Sequence, residues 1–278
     1  MFKVFDHFKI AVLPAIVFNY IVCVVCGFLN STFSPIEIVE QAFHSNWLWL
    51  SALLGFAFIY IFVLISKTAL RFGVSTASVA MKLGLVVPVL LAFTIYGEQV
   101  TLLKILGILC AFAAVVLSSL KEGEEHHESS NSKMLYLLPA VVFIGSGLCD
   151  SAVQFSDKFY FQHGGSEPFV LFIFLFAGIG GMLMLAKQLF QNEVRFQWNQ
   201  VVGGIALGIP NYGSLLFLLK ALNVTPGGSS VVFPISNIAT VAFSTFLSVL
   251  FFKEKLSKLN LLGLGFSALC IVLIALSK

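Results

Sequence analysis

The sequence predicts an all-α polytopic membrane protein built from two copies of one helical unit, and three observations predict it. Of its 278 residues, 59% are hydrophobic and only 10% charged, with a mean hydropathy of +0.99; a soluble globular domain carries roughly 25% charged residues. Apolar runs of about 20 residues, each long enough to cross a ~30 Å hydrocarbon core as a helix, recur along almost the whole length. The chain also repeats itself: GEQVTLLKILGILCAFAAVVL (97–117) lies over KEKLSKLNLLGLGFSALCIVL (253–273) at an offset of 156, which matches Glu98 with Glu254 and Gly107 with Gly263.

Nine spans follow, at 10–29, 47–66, 74–95, 101–119, 134–157, 168–190, 200–221, 227–252 and 259–277. The first is followed by further spans and lacks a small-residue cleavage signal, so it is not a signal peptide. Lys67 and Arg71 mark a loop between the second and third spans. Glu98 and Glu254 fall in turns before helices, where a carboxylate stabilises the exposed N–H groups and dipole of the helix start. KEGEEHHESSNSK (121–133) can bury nothing and reads as a solvated linker. It divides the chain into a first copy, 1–120, with four spans, and a second, 134–278, with five.

An odd number of spans per copy places the copies in opposite orientations, giving an inverted repeat of a five-helix unit. Upstream of the matched segments the register slips by a few residues, but KTAL (67–70) still resembles LKAL (219–222), with Gly55 and Gly208 at similar distances before them. The first copy is one helix short. MFKVFDHFKI (1–10) is too polar to span and reads as the tail of a helix lying further upstream.

With alternating sides, eleven Lys and Arg residues collect on one side and four on the other, with Lys82 inside the membrane. The positive-inside rule makes the richer side cytosolic, with the 121–133 linker on it and the C-terminus outside. A net charge of +3, spread near helix ends, is too diffuse for nucleic acid. The five cysteines all lie in apolar runs and read as small core residues. His126 and His127, among glutamates in the linker, read as solvated rather than metal-binding. Trp47, Trp49 and Trp198 near span starts suit interface anchors.

The repeated pattern of an apolar helix, a Gly-Glu or Lys-Glu turn and a second helix opening on Leu-Gly, present as Glu98…Gly107 and Glu254…Gly263, resembles the EamA-type branch of the drug/metabolite transporter superfamily. VVFPISN (231–237) and the Asn19-Tyr20 pair strengthen the likeness, which covers nearly the whole chain. The resemblance implies ten helices in two inverted five-helix copies, a bacterial cytoplasmic membrane, and movement of small metabolites, often amino acids or their relatives. It implies no cofactor. Some small relatives resemble flippases.

Polar residues at helical spacing mark faces turned away from lipid. In the third span Ser75, Ser78 and Lys82 share a face, with Pro88 beyond them able to loosen the helix. In the fifth span Ser146, Asp150, Gln154 and Asp157 do so, and in the eighth Ser230, Pro234, Asn237, Thr240, Ser244 and Ser248. These three faces can line one cavity. An ammonium at mid-helix costs about 2.5–3.5 kcal/mol on the insertion scale, so Lys82 needs water or a partner. Asp150 is the natural candidate; either Lys82 meets an anionic substrate group or loses its proton during the cycle, or it forms a permanent bridge to Asp150 joining the two copies or snorkels to a helix end. The 156-residue offset puts Ile238 opposite Lys82 and Asn237 beside it.

GIPNYGSL (208–215) offers Asn211 and Tyr212 beside Pro210, either as an unwound ligand-binding segment or as small-residue helix packing. Asn19 reads as an interhelical amide or a ligand contact. These residues predict a secondary transporter, an exporter of a small polar, amino-acid-like metabolite by alternating access, with protons as the possible coupling ion and a monomer or homodimer as the functional form. The alternative is a carrier or flippase of a lipid-linked molecule. A membrane enzyme ranks last, since the spans hold no acid–base pair, Ser/His/Asp set or metal-spaced cluster.

Overall fold

A computed structural model describes residues 11–31, 34–119, 137–162, 165–191, 197–225, 228–252 and 258–276. Residues 1–10, the 121–133 linker with His126 and His127, and Glu254 lie outside the described residues, as do the side chains of Ser75, Ser244 and Ser248.

The described residues are helical throughout, without a strand: α1 (Val12–Asn30), α2 (Pro35–Phe43), α3 (Leu48–Leu83), α4 (Val86–Thr94), α5 (Leu102–Ser119), α6 (Leu137–Tyr160), α7 (Glu167–Phe190), α8 (Trp198–Val224), α9 (Ser229–Phe252) and α10 (Lys258–Ala275). The described parts of the apolar runs are largely helical, and the run 74–95 is divided between α3 and α4. Six stretches are long and apolar enough to cross a membrane: Val12–Asn30, Leu48–Ala69, Thr76–Thr94, Leu137–Tyr160, Glu167–Phe190 and Trp198–Val224. Leu102–Ala114, Ser229–Phe243 and Leu261–Ile274 form shorter apolar helices.

Two expectations need correction here. The loop at Lys67–Arg71 is absent, because α3 runs unbroken through it. Lys, Ala, Leu and Arg are good helix formers, no Pro interrupts the segment, and Thr68 returns its hydroxyl to the Leu64 carbonyl at 2.8 Å instead of capping a new helix. The third span breaks later instead, at Gly84 and Leu85, between α3 and α4. The sequence reading also omitted α2, a nine-residue helix between the first two spans.

The chain divides into two compact units, Met1–Val63 with Phe155–Asn223, and Leu64–Gln154 with Val224–Lys278. In the first, α1 and α7 form the main packing pair, with the ring of Tyr20 stacked at 6.0 Å from Phe174. Trp47 is enclosed by Phe161, Phe169 and Phe172 at ring distances of 6.2, 5.7 and 6.0 Å. It anchors the core, whereas Trp49 and Trp198 remain 58% and 78% exposed, as interface residues do. Lys220 pairs with Glu167 at 3.1 Å near the start of α7.

In the second unit α5 and α10 pack along each other. Gly107 meets Ile274 while Ala111 meets Cys270, so the two helices run antiparallel. Ile238 of α9 completes that cluster. A second cluster joins Leu85 and Val89 to Ile108. All five cysteines are free; Cys23, Cys149 and Cys270 are buried and the other two half-buried, in keeping with a packing role.

Candidate functional site

The site is built around the break between α3 and α4. Pro88 has no N–H to give to Gly84 and its ring crowds that carbonyl, so α4 cannot be continued backwards as regular helix. The last turn of α3 tightens instead: Gly84 N–H donates to the Met81 carbonyl at 3.2 Å and Leu85 N–H to Lys82 at 3.3 Å. Ser146 Oγ of α6 lies 3.0 Å from the Met81 carbonyl and shares its one proton between it and the Val142 and Phe143 carbonyls of its own helix, at 2.8 and 3.2 Å. Irregular backbone at membrane depth survives only when neighbours satisfy it in this way.

Two glycines permit the approach. A Cβ on Gly84 would fall on Ser146 Oγ and within 2.8 Å of Gly147 N. One on Gly147 would come within 2.5 Å of Val87 Cγ2 and 2.8 Å of the Gly84 carbonyl. Backbone therefore meets backbone where α6 crosses the break.

Lys82 lies in the last turn of α3, half-buried, one turn beyond the half-buried Ser78. Its Nζ donates to Asn237 Oδ1 at 3.4 Å. The Asn237 amide is fixed from behind, since its Nδ2 donates to the Phe233 carbonyl one turn earlier at 3.1 Å, leaving the oxygen to face the ammonium. Asp150 stands one turn beyond Ser146 on α6, and its charge acts on Lys82. Among the described residues no nitrogen–oxygen approach within 4.0 Å joins the two, so the expected direct bridge is not formed here. Gln154, a further turn along, is completely buried, and neither amide atom has a hydrogen-bond partner among the described residues. Lys82, Asp150, Gln154 and Asn237 thus all belong to the second unit.

The polar face of α9 does not turn inward along its whole length. Ser230, Pro234 and Asn237 do, but Thr240 is exposed and returns its hydroxyl to the Ser236 carbonyl at 2.7 Å. Thr240 satisfies itself within its own helix.

Glu98 corrects the sequence reading in another way. Its carboxylate reaches a helix remote from it in the sequence. Oε1 accepts from Ser229 N–H at 2.9 Å, and Oε2 from Ser230 N–H at 3.0 Å and Ser230 Oγ at 2.6 Å. Ser229 and Ser230 open α9, so Glu98 caps the helix that carries Asn237. Only the pairing of a Gly-Glu turn with a Ser-Ser start hinted at this in the sequence.

Asn19, Asn211 and Tyr212 belong to the first unit. Helix α8 passes through Pro210 without a break, so 208–215 is not unwound. The helix packs there instead. A Cβ on Gly208 would lie 2.5 Å from Val22 Cβ and 2.8 Å from the Asn19 carbonyl, and one on Gly204 would lie 2.8 Å from the Ala15 carbonyl. Small residues four apart let α8 and α1 touch at their backbones. Asn211 Nδ2 donates to Asn19 Oδ1 at 3.2 Å across this contact, and Cys23 Sγ to the Gly208 carbonyl at 3.3 Å. Tyr212 is buried, its ring 6.4 Å from Phe174.

Comparison with known proteins agrees with this architecture. The sequence profile of the EamA-like transporter family matches residues 3–120. An uncharacterized protein of Haemophilus influenzae (strain Rd) is 30% identical over 269 residues, spanning 96% of this chain and 89% of that one. A protein known from a crystal structure shares the fold, with a TM-score of 0.70 at 15% identity over 95% of this chain and 86% of its own. The chain belongs to the EamA-like transporter family, within the drug/metabolite transporter superfamily.

Proposed function

We propose that this transporter is a secondary carrier that exports a small polar, amino-acid-like metabolite by alternating access, with Lys82 receiving an anionic group of the substrate. The observation that carries the reading is the environment of Lys82: an ammonium within the span Thr76–Thr94, at a helix break, held among the described residues by one neutral amide. A single hydrogen bond to a charged group contributes about 1.5–3 kcal/mol, comparable to the insertion cost of about 2.5–3.5 kcal/mol. That leaves little surplus and an ammonium with donors to spare for a carboxylate. Asp150, close enough to act through its charge, suits the counter-charge that takes over when the site is empty. Protons exchanged at such a carboxylate are the natural coupling ion.

The antiparallel packing of α5 and α10, whose bounds differ by the 156-residue repeat offset, supports an inverted pair of copies, 1–120 and 134–278. So does the contact between Lys82 and Asn237, which are near-equivalent positions of the repeat. On this reading the spans cross the cytoplasmic membrane with the 121–133 linker in the cytosol, and Pro88 and Pro234 supply points of bending.

The test is counterflow of labelled amino acids in proteoliposomes, with and without a proton gradient. Lys82→Met is expected to abolish exchange while leaving the folded, monodisperse protein intact. Normal exchange by that variant removes Lys82 from the mechanism. The second reading, a carrier of a lipid-linked or amphipathic molecule, draws on a groove of about 580 Å³ lined by Leu261, Leu262, Gly265, Phe266 and Leu269, with Lys258 at its end. Movement of a labelled lipid-linked substrate, without amino-acid exchange, would favour it.

A further inference from the structure

Helix α2 carries three separate faces. At about 100° per residue, Ile38 and Ala42 point in one direction, Ile36, Val39 and Phe43 lie about a third of a turn round from them, and Glu37, Glu40 and Gln41 fill the remainder. The first face is completely buried against Leu171 and Phe172. The second is open, with Ile36 and Phe43 each 72% exposed and Val39 41%. A helix bordered only by protein and water has no use for a third, apolar, outward face; one lying where protein, lipid and water meet needs all three.

We infer that α2 lies in the plane of the bilayer surface, with Ile36, Val39 and Phe43 set into the interface of a zwitterionic phospholipid layer. The chain holds it there. Four residues separate it from the end of α1 and four from the start of α3, both of which open or close candidate spans. Four residues reach at most about 14 Å. The apolar stripe continues the outward surface of those spans, where Leu29 is 81%, Trp49 58% and Leu53 59% exposed.

The helix is also fixed as a helix without help from lipid. Ser34 N–H donates to Glu37 Oε2 at 2.8 Å, Ser34 Oγ accepts from Glu37 N–H at 3.4 Å, and Pro35 occupies the first helical position. Its water-facing arc holds two carboxylates one turn apart and no Lys or Arg. That charge repels anionic headgroups and suits the ammonium groups of ethanolamine and choline lipids. This inference is independent of what the protein transports.

The test uses the full chain in vesicles of phosphatidylethanolamine and phosphatidylcholine, with nitroxide labels at Ile36→Cys, Val39→Cys, Phe43→Cys, Glu37→Cys and Glu40→Cys. Unmutated protein, labelled in parallel, gives the background from native thiols. The three stripe positions are expected to relax more with oxygen than with a water-soluble nickel chelate, and positions 37 and 40 the reverse. Equal nickel access at all five positions overturns the inference in favour of a water-exposed helix. Dipolar broadening at the stripe overturns it in favour of a second copy of the chain. A stripe that enters lipid only after phosphatidylglycerol is added overturns the assignment to zwitterionic headgroups.

Discussion

The cap that Glu98 places on α9 can be tested directly, because the geometry fixes what each substitution removes. Ser229 and Ser230 are completely buried, so water cannot replace the carboxylate that receives their N–H groups and the Ser230 hydroxyl. Loss of an N-cap costs about 0.5–2 kcal/mol, and a carboxylate at a partly buried helix start adds about 0.3–2 kcal/mol through the dipole. Glu98→Gln keeps one acceptor oxygen but loses the charge, which places its cost at about 1–2 kcal/mol. Glu98→Ala leaves both N–H groups without an acceptor and should cost about 2–4 kcal/mol, since each buried orphan is worth about 1–3 kcal/mol.

Thermal unfolding in detergent reads this out as a graded loss, Ala below Gln below wild type, at about 2–4 °C per kcal/mol for a chain of this size. Ser230→Ala removes only one of the three donors and should lie above both Glu98 variants. Its double mutant with Glu98→Ala should be no worse than Glu98→Ala alone, because the two groups form one interaction. Equal stability of Glu98→Ala and wild type would refute the cap as a holding contact.

Three further outcomes follow from the close contacts and from the Glu37 carboxyl of α2. Gly147→Ala sets a methyl against the Gly84 carbonyl and Val87, and should destabilise the protein by about 1–3 kcal/mol as an overpacked contact; an unchanged unfolding midpoint argues against the backbone crossing at the break. Gly208→Ala should cost a similar amount, about 1–3 kcal/mol, because Val22 Cβ and the Asn19 carbonyl occupy the space, whereas Gly265→Ala, inside α10 where a Cβ meets nothing within 4 Å, should cost nothing and stabilise by up to about 1 kcal/mol by the same measurement. The Ser34 backbone N–H, with its hydroxyl second, holds the Glu37 carboxyl below its usual 4.5. A depressed carboxyl contributes fully above its unfolded value and is lost as pH falls through the folded one. Amide exchange in the first turn of α2, corrected for its intrinsic pH dependence, should therefore quicken below the carboxylate range; constant protection down to pH about 3 would count against the capping box.

Composition and hydropathy made the helical membrane class legible, since continuous apolar runs of about 20 residues in a chain with 10% charged residues suit spanning helices and lack the alternation of barrel strands. The repeat offset placed Asn237 beside the counterpart of Lys82, and the two are in contact. Contacts set by chain crossing were not legible. Local capping logic gives a Glu before a helix to that helix, whereas Glu98 serves one that starts 131 residues later. Around Pro210 the sequence left an unwound segment and small-residue packing both open, and the α1 backbone packed against Gly204 and Gly208 answers to the second. Helix α2 was missed because a nine-residue segment with apolar residues on two faces reads neither as a span nor as a regular two-sided helix.

The local order of causes at the break bears on what Lys82 can do. Pro88 ends one helical register, the tightened turn leaves the Met81 carbonyl open to a second donor, and Ser146 shares its one proton with it. Ser146 reaches only because Gly84 and Gly147 carry no side chain. One turn further along α6 stands Asp150, which makes no nitrogen–oxygen approach to Lys82 within 4.0 Å among the described residues. Lys82 itself ends α3, where the helix dipole favours a cation by about 0.3–1 kcal/mol. Its positive charge is thus held by a dipole, a neutral amide and a carboxylate at a distance. Each is weak and none saturates the ammonium, whereas a direct buried ion pair costs about 3–5 kcal/mol to break by removing one partner. An arrangement of weak holders lets a substrate carboxylate enter and leave, which the proposed transport cycle requires and a permanent bridge would prevent.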